Sequence, residues 1–167
     1  MNNRTPEQET IQKLSSYMSP AQLKKLMVQD DGKLYLKTIN AALVGTANPH
    51  GVSYTLQHTI ICGVVIYCVG PSFTSYARIK LPSKLILASD RTQFAYLNRY
   101  LAEHPEKISA SLPIDQRQII RTGQTPQGLL WHHEAEFGIM SLVDATVHSG
   151  SRHTGGKAIW GGGNSFR

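Results

Sequence analysis

The sequence predicts an α+β fold, with a helical N-terminal region, a small mixed or antiparallel sheet and a C-terminal strand–loop–strand–helix unit. Three observations carry that prediction. Two helix-start signals, Thr5-Pro6-Glu7-Gln8 and Ser19-Pro20-Ala21-Gln22, fall within the first thirty residues. A β-branched run spans Thr59 to Val69. Two short strand-like segments, Gln127 to His133 and Gly138 to Val143, precede Asp144, which can cap a helical turn.

Taken in order, the first signal opens one short helix and the second opens another, with Leu23, Leu26 and Met27 as its apolar stripe. Asp31-Gly32 is a turn, and Lys33 to Thr38 alternates well enough for a short strand. The polar stretch GTANPHGVSY then leads into the β-branched run, one or two central strands that Gly70-Pro71-Ser72 closes as a turn. Ser89 or Asp90 caps a helix reaching about Glu103, because Phe94, Leu97, Tyr100 and Leu101 recur at helical spacing, and His104-Pro105 ends it. A further helix runs from about Pro113 to Arg121, presents Ile114, Ile119 and Ile120, and stops at Gly123. No repeat, low-complexity tract or linker divides the chain. A single domain over 1–167 is expected, with helices in 1–31, a scaffold in 32–124 and a chemical motif in 125–167.

Composition narrows the class. Hydrophobic residues at 41% and charged residues at 17% argue against disorder. The longest apolar run, Thr59 to Gly70, is too short to span a bilayer as a helix, so no membrane insertion is expected. The N terminus lacks the apolar core of a signal peptide. Cys62 and Cys68 share a face of a straight strand, too far apart for a disulfide, and read as buried thiols. A net charge of +6 favours polyanionic partners, nucleic acid or an acidic protein.

The chemistry concentrates at the C-terminal end. Four of the seven histidines, His132, His133, His148 and His153, lie within twenty-two residues. Neighbours on a strand point to opposite faces, so His132 and His133 cannot both easily hold one ion. One is left for the ion and the other for proton transfer near neutral pH. His148 and His153 are five apart and diverge on a continuous helix. Gly150 between them can end the helix and turn the chain back, so that His132, His148 and His153 offer three neutral ligands and leave a position open. His50, His58 and His104 lack such company and read as structural.

The residues WHHE at Trp131 to Glu134, GIMSLVD at Gly138 to Asp144, His148, HTGG from His153 and WGGG from Trp160 resemble the WHH branch of the HNH/endonuclease VII superfamily of ββα-metal nucleases, found in bacterial polymorphic toxins and effectors. Upstream, NPHGVSY, GPSF and LPSKL resemble the punctuation of such toxins, with His50 where threonine is expected. The resemblance implies an HNH-like ββα-metal motif in which His133 is the general base and His132, His148 and His153 hold one divalent ion, Zn, Mg, Ni or Mn. It implies phosphodiester hydrolysis, with DNA ahead of RNA as substrate and an acidic immunity protein as partner. Synthesis in a bacterial cytoplasm, export by a secretion system or carrier, and action in a target cell's cytoplasm follow from it. The HNH asparagine is missing, and Ser141 or a backbone carbonyl is the candidate to orient His133. Glu134 is placed either beside His133 or in solvent. Arg121, Arg152, Lys157 and Arg167 flank the cluster as phosphate-binding candidates. Trp131 and Trp160 read as packing residues, and the glycine runs as places of tight backbone approach. An RNase toxin with the same residues, or a non-catalytic zinc-stabilised nucleic-acid-binding module with four histidine ligands, are the alternatives.

Overall fold

The structure is a computed structural model that describes residues 3–164, and its architecture is α+β. Two short helices, α1 (Gln8–Leu14) and α2 (Pro20–Leu23), open the chain, and the Ser19 side chain caps the second by accepting from Gln22 N–H. Leu26 and Met27 do not extend α2. They enter a strand, β1 (Leu26–Val28), that pairs antiparallel with β2 (Leu34–Leu36), so the expected helical stripe is corrected to a strand edge. The spacing of Leu23, Leu26 and Met27 suits a helix, but the sheet offers Leu26 a buried place at 6% exposure.

The β-branched run lies within a hairpin of β3 (Ser53–Ile61) and β4 (Val64–Ser72). Cys62 and Gly63 form its turn with φ of 50° and 76°, a two-residue connection whose twist suits the flanking strands. The turn corrects two expectations. Cys62 is exposed at the tip while Cys68 is buried, and Gly70-Pro71-Ser72 remains inside β4 rather than closing it. With β2 parallel to β4, the first sheet is mixed, in the order β1-β2-β4-β3.

The second sheet has the order β5-β7-β6 and is antiparallel throughout. Its outer strand β5 (Ala77–Lys80) was not foreseen from sequence, while β6 (Leu129–His133) and β7 (Ile139–Asp144) form the expected hairpin. Helix α3 (Asp90–Glu103) begins with Ser89 as its cap, and α4 (Ile114–Arg121) follows. Of the three isoleucines expected to be its apolar face, only Ile120 is buried; Ile114 and Ile119 are 67% and 39% exposed. After β7 come α5 (Ala145–Ser149), capped by Asp144 through Val147 N–H at 2.8 Å, and the unforeseen α6 (Gly156–Ile159). Both sheets contribute to one core: Leu36, Ile61 and Ile66 from the first, Ile79, Met140 and Leu142 from the second, with Leu97 and Leu101 of α3. No helix among the described residues is long and apolar enough to cross a membrane.

Candidate metal centre and active site

Strand alternation separates the paired histidines. Trp131 and His133 face α3, where Trp131 Nε1 donates to Asn98 Oδ1 at 2.8 Å. His132 faces the other way, toward α5 and the loop after it, where Phe73 packs against the rings of His132, His148 and His153. The nitrogens of these three histidines lie within 4.8 Å of one another, a donor set able to hold a metal ion.

The set fits an ion on three counts. His132 Nδ1 and His148 Nε2 are 3.2 Å apart; two nitrogens each about 2.0–2.1 Å from a shared tetrahedral ion would be about 3.3–3.4 Å apart. His153 donates Nδ1–H to the Ser151 carbonyl at 2.6 Å, which leaves Nε2 as its ligand atom. Finally, the rings are held neutral, as ligation requires. Burial drives the His132 imidazole down to about 2, with the neighbouring His153, His148 and His133 adding to it. Burial and then His153 bring His148 to about 4. Burial lowers His153 as well, against the opposing Ser151 carbonyl.

Gly150 closes α5, though not through a left-handed backbone, since its φ is −78°. What the position requires is space. A Cβ there would lie 2.1 Å from His50 Nε2, so His50 packs over the helix end. The ligand loop is tied down by the segment before β3. Asn40 Nδ2 donates to Arg152 O at 2.8 Å, Asn48 Nδ2 to Ser151 Oγ at 2.7 Å, and Ile39 N–H to Thr154 Oγ1 at 3.2 Å. The NPHG segment thus acts on the site as scaffold for its loop.

His133 is oriented by a residue that sequence reasoning missed. Gln93 of α3 is fully buried, and its Nε2 donates to Leu85 O and Ile86 O at 2.8 and 3.1 Å. Those two acceptors fix which end of the amide is nitrogen. Gln93 Oε1 therefore faces His133 Nε2, 2.8 Å away, and can only accept. His133 is accordingly the Nε2–H tautomer, with its lone pair on Nδ1. Asp90, one helical turn earlier, places Oδ1 3.9 Å from the same Nε2, and its Oδ2 accepts from Lys157 Nζ at 2.7 Å. The sequence hint was available: Asp90 and Gln93 stand three apart on a helix whose other inward positions are apolar.

Ser141 does not touch His133. Its hydroxyl donates to Glu134 Oε1, because Ser141 pairs with His132 across the hairpin and shares that face. Glu134 accompanies His132, with Oε2 3.9 Å from His132 Nε2, rather than His133 or open solvent. Its side chain is 18% exposed, and burial holds its carboxyl above the ordinary range against the lowering effect of Ser141.

Of the phosphate-binding candidates, Lys157 lines the cleft shared by the four histidines and Asp90. Arg152 is exposed on the ligand loop, Arg121 sits in the last turn of α4 outside that cleft, and Arg167 lies outside the described residues. Trp160 is buried, donates Nε1–H to Glu134 O at 2.9 Å and packs its ring against His133. Gly156 allows that approach: a Cβ would stand 1.9 Å from the Glu134 carbonyl oxygen.

Comparison with curated proteins and with solved structures finds no match. A family model described as the DNase/tRNase domain of colicin-like bacteriocin matches residues 66–155, more than half of the chain, from β4 through the ligand loop. That span contains Gln93 and all four clustered histidines, and the chain belongs to this colicin-like DNase/tRNase family of nuclease toxins.

Proposed function

We propose that residues 1–167 act as one metal-dependent endonuclease domain of the WHH type, an antibacterial toxin that hydrolyses DNA. The observation that carries the reading is the separation of roles around β6: three convergent imidazole nitrogens on one face, and on the other a histidine whose tautomer Gln93 fixes. A structural zinc module would instead recruit the fourth histidine. Here His133 is engaged by Gln93 and stands outside the three-histidine group.

In this mechanism His133 takes a proton from the attacking water at Nδ1. The imidazolium so formed keeps its Nε2–H on Gln93 Oε1, with the Asp90 carboxylate 3.9 Å from the same nitrogen. The water oxygen forms its bond to phosphorus as the bond from phosphorus to the 3′ oxygen breaks, and that oxygen leaves as a hydroxyl with a proton taken from solvent. When bound by His132, His148 and His153, a divalent ion (Zn, Mg, Ni or Mn) supplies Lewis-acid stabilisation of charge on the phosphate and the leaving oxygen. Glu134 sets the His132 ring from its far side, and Lys157, paired with Asp90 at the cleft, meets the phosphate. Arg152, exposed on the loop between His148 and His153, extends the contacts with the nucleic-acid backbone. The net charge of +6 suits both a nucleic acid and an acidic immunity protein that would protect the producing cell. Delivery from the producer's cytoplasm by a secretion system or carrier completes the proposal.

The experiment is cleavage of plasmid DNA and of total RNA by the purified chain, with divalent ions and with chelator. Metal-dependent nicking of plasmid is expected, and the His133→Ala protein should bind metal as before while losing cleavage by about 10²- to 10⁴-fold. Cleavage of RNA alone would move the substrate to RNA. No cleavage of either in any divalent ion would overturn the enzyme reading.

A further inference from the structure

The outer face of the first sheet carries a row of rings that no other layer covers among the described residues. Tyr35 on β2 pairs with Tyr67 on β4, which pairs with His58 on β3, so their side chains share one face. The ring centroids are 5.4 Å apart for the tyrosines and 6.0 Å for His58 and Tyr67. His58 is exposed and both tyrosines are partly buried. With strands about 5 Å apart, the three rings span about 10 Å. Lys33 Nζ stands 5.1 Å from the centre of the Tyr67 ring, and the Tyr35 hydroxyl is held at its rim by Asp31. Leu56 and Ile60, on the same face of β3, are 51% and 53% exposed.

We infer that this face is a stacking platform for unpaired bases, and that the chain binds single-stranded nucleic acid across it toward the histidine cluster. The inference rests on the nuclease reading for its destination. Exposed aromatic rows on four-stranded sheets stack two or three successive bases, and cations beside them meet the backbone. Lys33 lies over the row, and Lys37 and Lys80 line the clefts on either side of it. The row is also continuous with the site. His58 lines a polar cleft with Phe73, Arg78 and Glu134; Phe73 touches all three clustered imidazoles and Glu134 stands beside His132. Tyr35 and His58 lie before the family-matched span, and Tyr67 lies inside it.

The test is fluorescence anisotropy of labelled single strands of about twelve residues, oligo(dT) and oligo(U), and of a duplex of similar length, all in chelator so that nothing is cleaved. At least one single strand should bind more tightly than the duplex. Tyr35→Ala and Tyr67→Ala should each weaken it by about 5- to 150-fold, while Tyr35→Phe and Tyr67→Phe retain the affinity and report that the sheet is intact. Unchanged affinity in folded Ala variants overturns the inference, as does equal loss for duplex and single strand. A self-association that the Ala variants abolish without touching oligonucleotide affinity also overturns it and assigns the face to a second copy. Because binding is read without turnover, absence of cleavage bears on the proposed reaction and leaves this result standing.

Discussion

Replacing Gln93 by leucine tests the proposed role of His133 as general base. The substitution keeps the volume of a fully buried side chain and removes three hydrogen bonds, to Leu85 O, Ile86 O and His133 Nε2. Leu85 O keeps its bond from Ala88 N, so one carbonyl and one imidazole nitrogen lose the partner Gln93 gave them. At about 1–3 kcal/mol for each of these two lost hydrogen bonds, stability should fall by about 2–6 kcal/mol, against about 5–15 kcal/mol for a typical fold. The catalytic loss comes from the tautomer. Without an acceptor at Nε2 the ring can carry its proton on Nδ1, where it cannot take one from water, and orienting partners of this kind are worth about 10- to 100-fold. Single-turnover cleavage of a labelled oligonucleotide at saturating metal should therefore slow by that factor with little change in substrate affinity. The ¹⁵N shifts of His133 should move from one tautomer toward a mixture. Metal affinity should hold, since the ligands lie on the opposite face of β6. A Gln93→Leu protein that cleaves at the wild-type rate while His133 remains essential would refute the reasoning.

Two further outcomes follow from burial and close approach. In chelator, stability should decline as pH falls from about 6.5 toward 4: the unfolded chain binds protons on His132 and His148 there while burial keeps the folded rings neutral, at about 2 and about 4. Each ring adds up to about 1.4 kcal/mol per pH unit across that window, the contribution is complete above it, and a flat melting temperature between those limits would contradict the shifts. Gly156→Ala should cost about 2–4 kcal/mol in thermal unfolding, because its Cβ at 1.9 Å from Glu134 O cannot coexist with the Trp160 bond to the same oxygen, and a melting temperature equal to wild type would show that the backbone yields freely.

What the sequence disclosed was what local rules govern. Ser19, Ser89 and Asp144 announce their helices through capping, and the β6–β7–α5 order is written in alternation followed by a cap. Strand alternation alone was enough to set His132 and His133 apart. What stayed hidden depends on distant partners. Strand β5 is four residues long and exists because β7, about sixty residues later, pairs with it. Leu26 and Met27 satisfy a helical spacing and are claimed by a sheet. Gln93 reaches His133 across forty residues; its place on the apolar face of α3 marks it as inward, but nothing local names the histidine it meets. The candidate for that orienting role, Ser141, was a reasonable neighbour on the wrong face. Its register opposite His132 gives its hydroxyl to Glu134 instead.

The ligand loop shows why the histidine motif alone is not the site. Helix α5 has five residues, far below the length at which a helix is stable by itself, so its geometry must be imposed from outside. Asn48 does much of this. Its Oδ1 accepts from His50 N–H and Val52 N–H, which fixes the amide and aims Nδ2 at Ser151 Oγ. Ser151 is fully buried, donates onward to Val147 O, and offers its carbonyl to His153 Nδ1–H. One asparagine thus couples the end of α5, which carries His148, to the ring orientation of His153. Asn48→Ala should weaken metal binding by about 10- to 100-fold in a competition titration, the loss typical of removing an outer partner of a ligand. Asn40→Ala, which frees the neighbouring Arg152 carbonyl without touching the Ser151 relay, should cost less. Equal metal affinity in folded Asn48→Ala and wild-type protein would mean that α5 and its loop hold the ligands unaided.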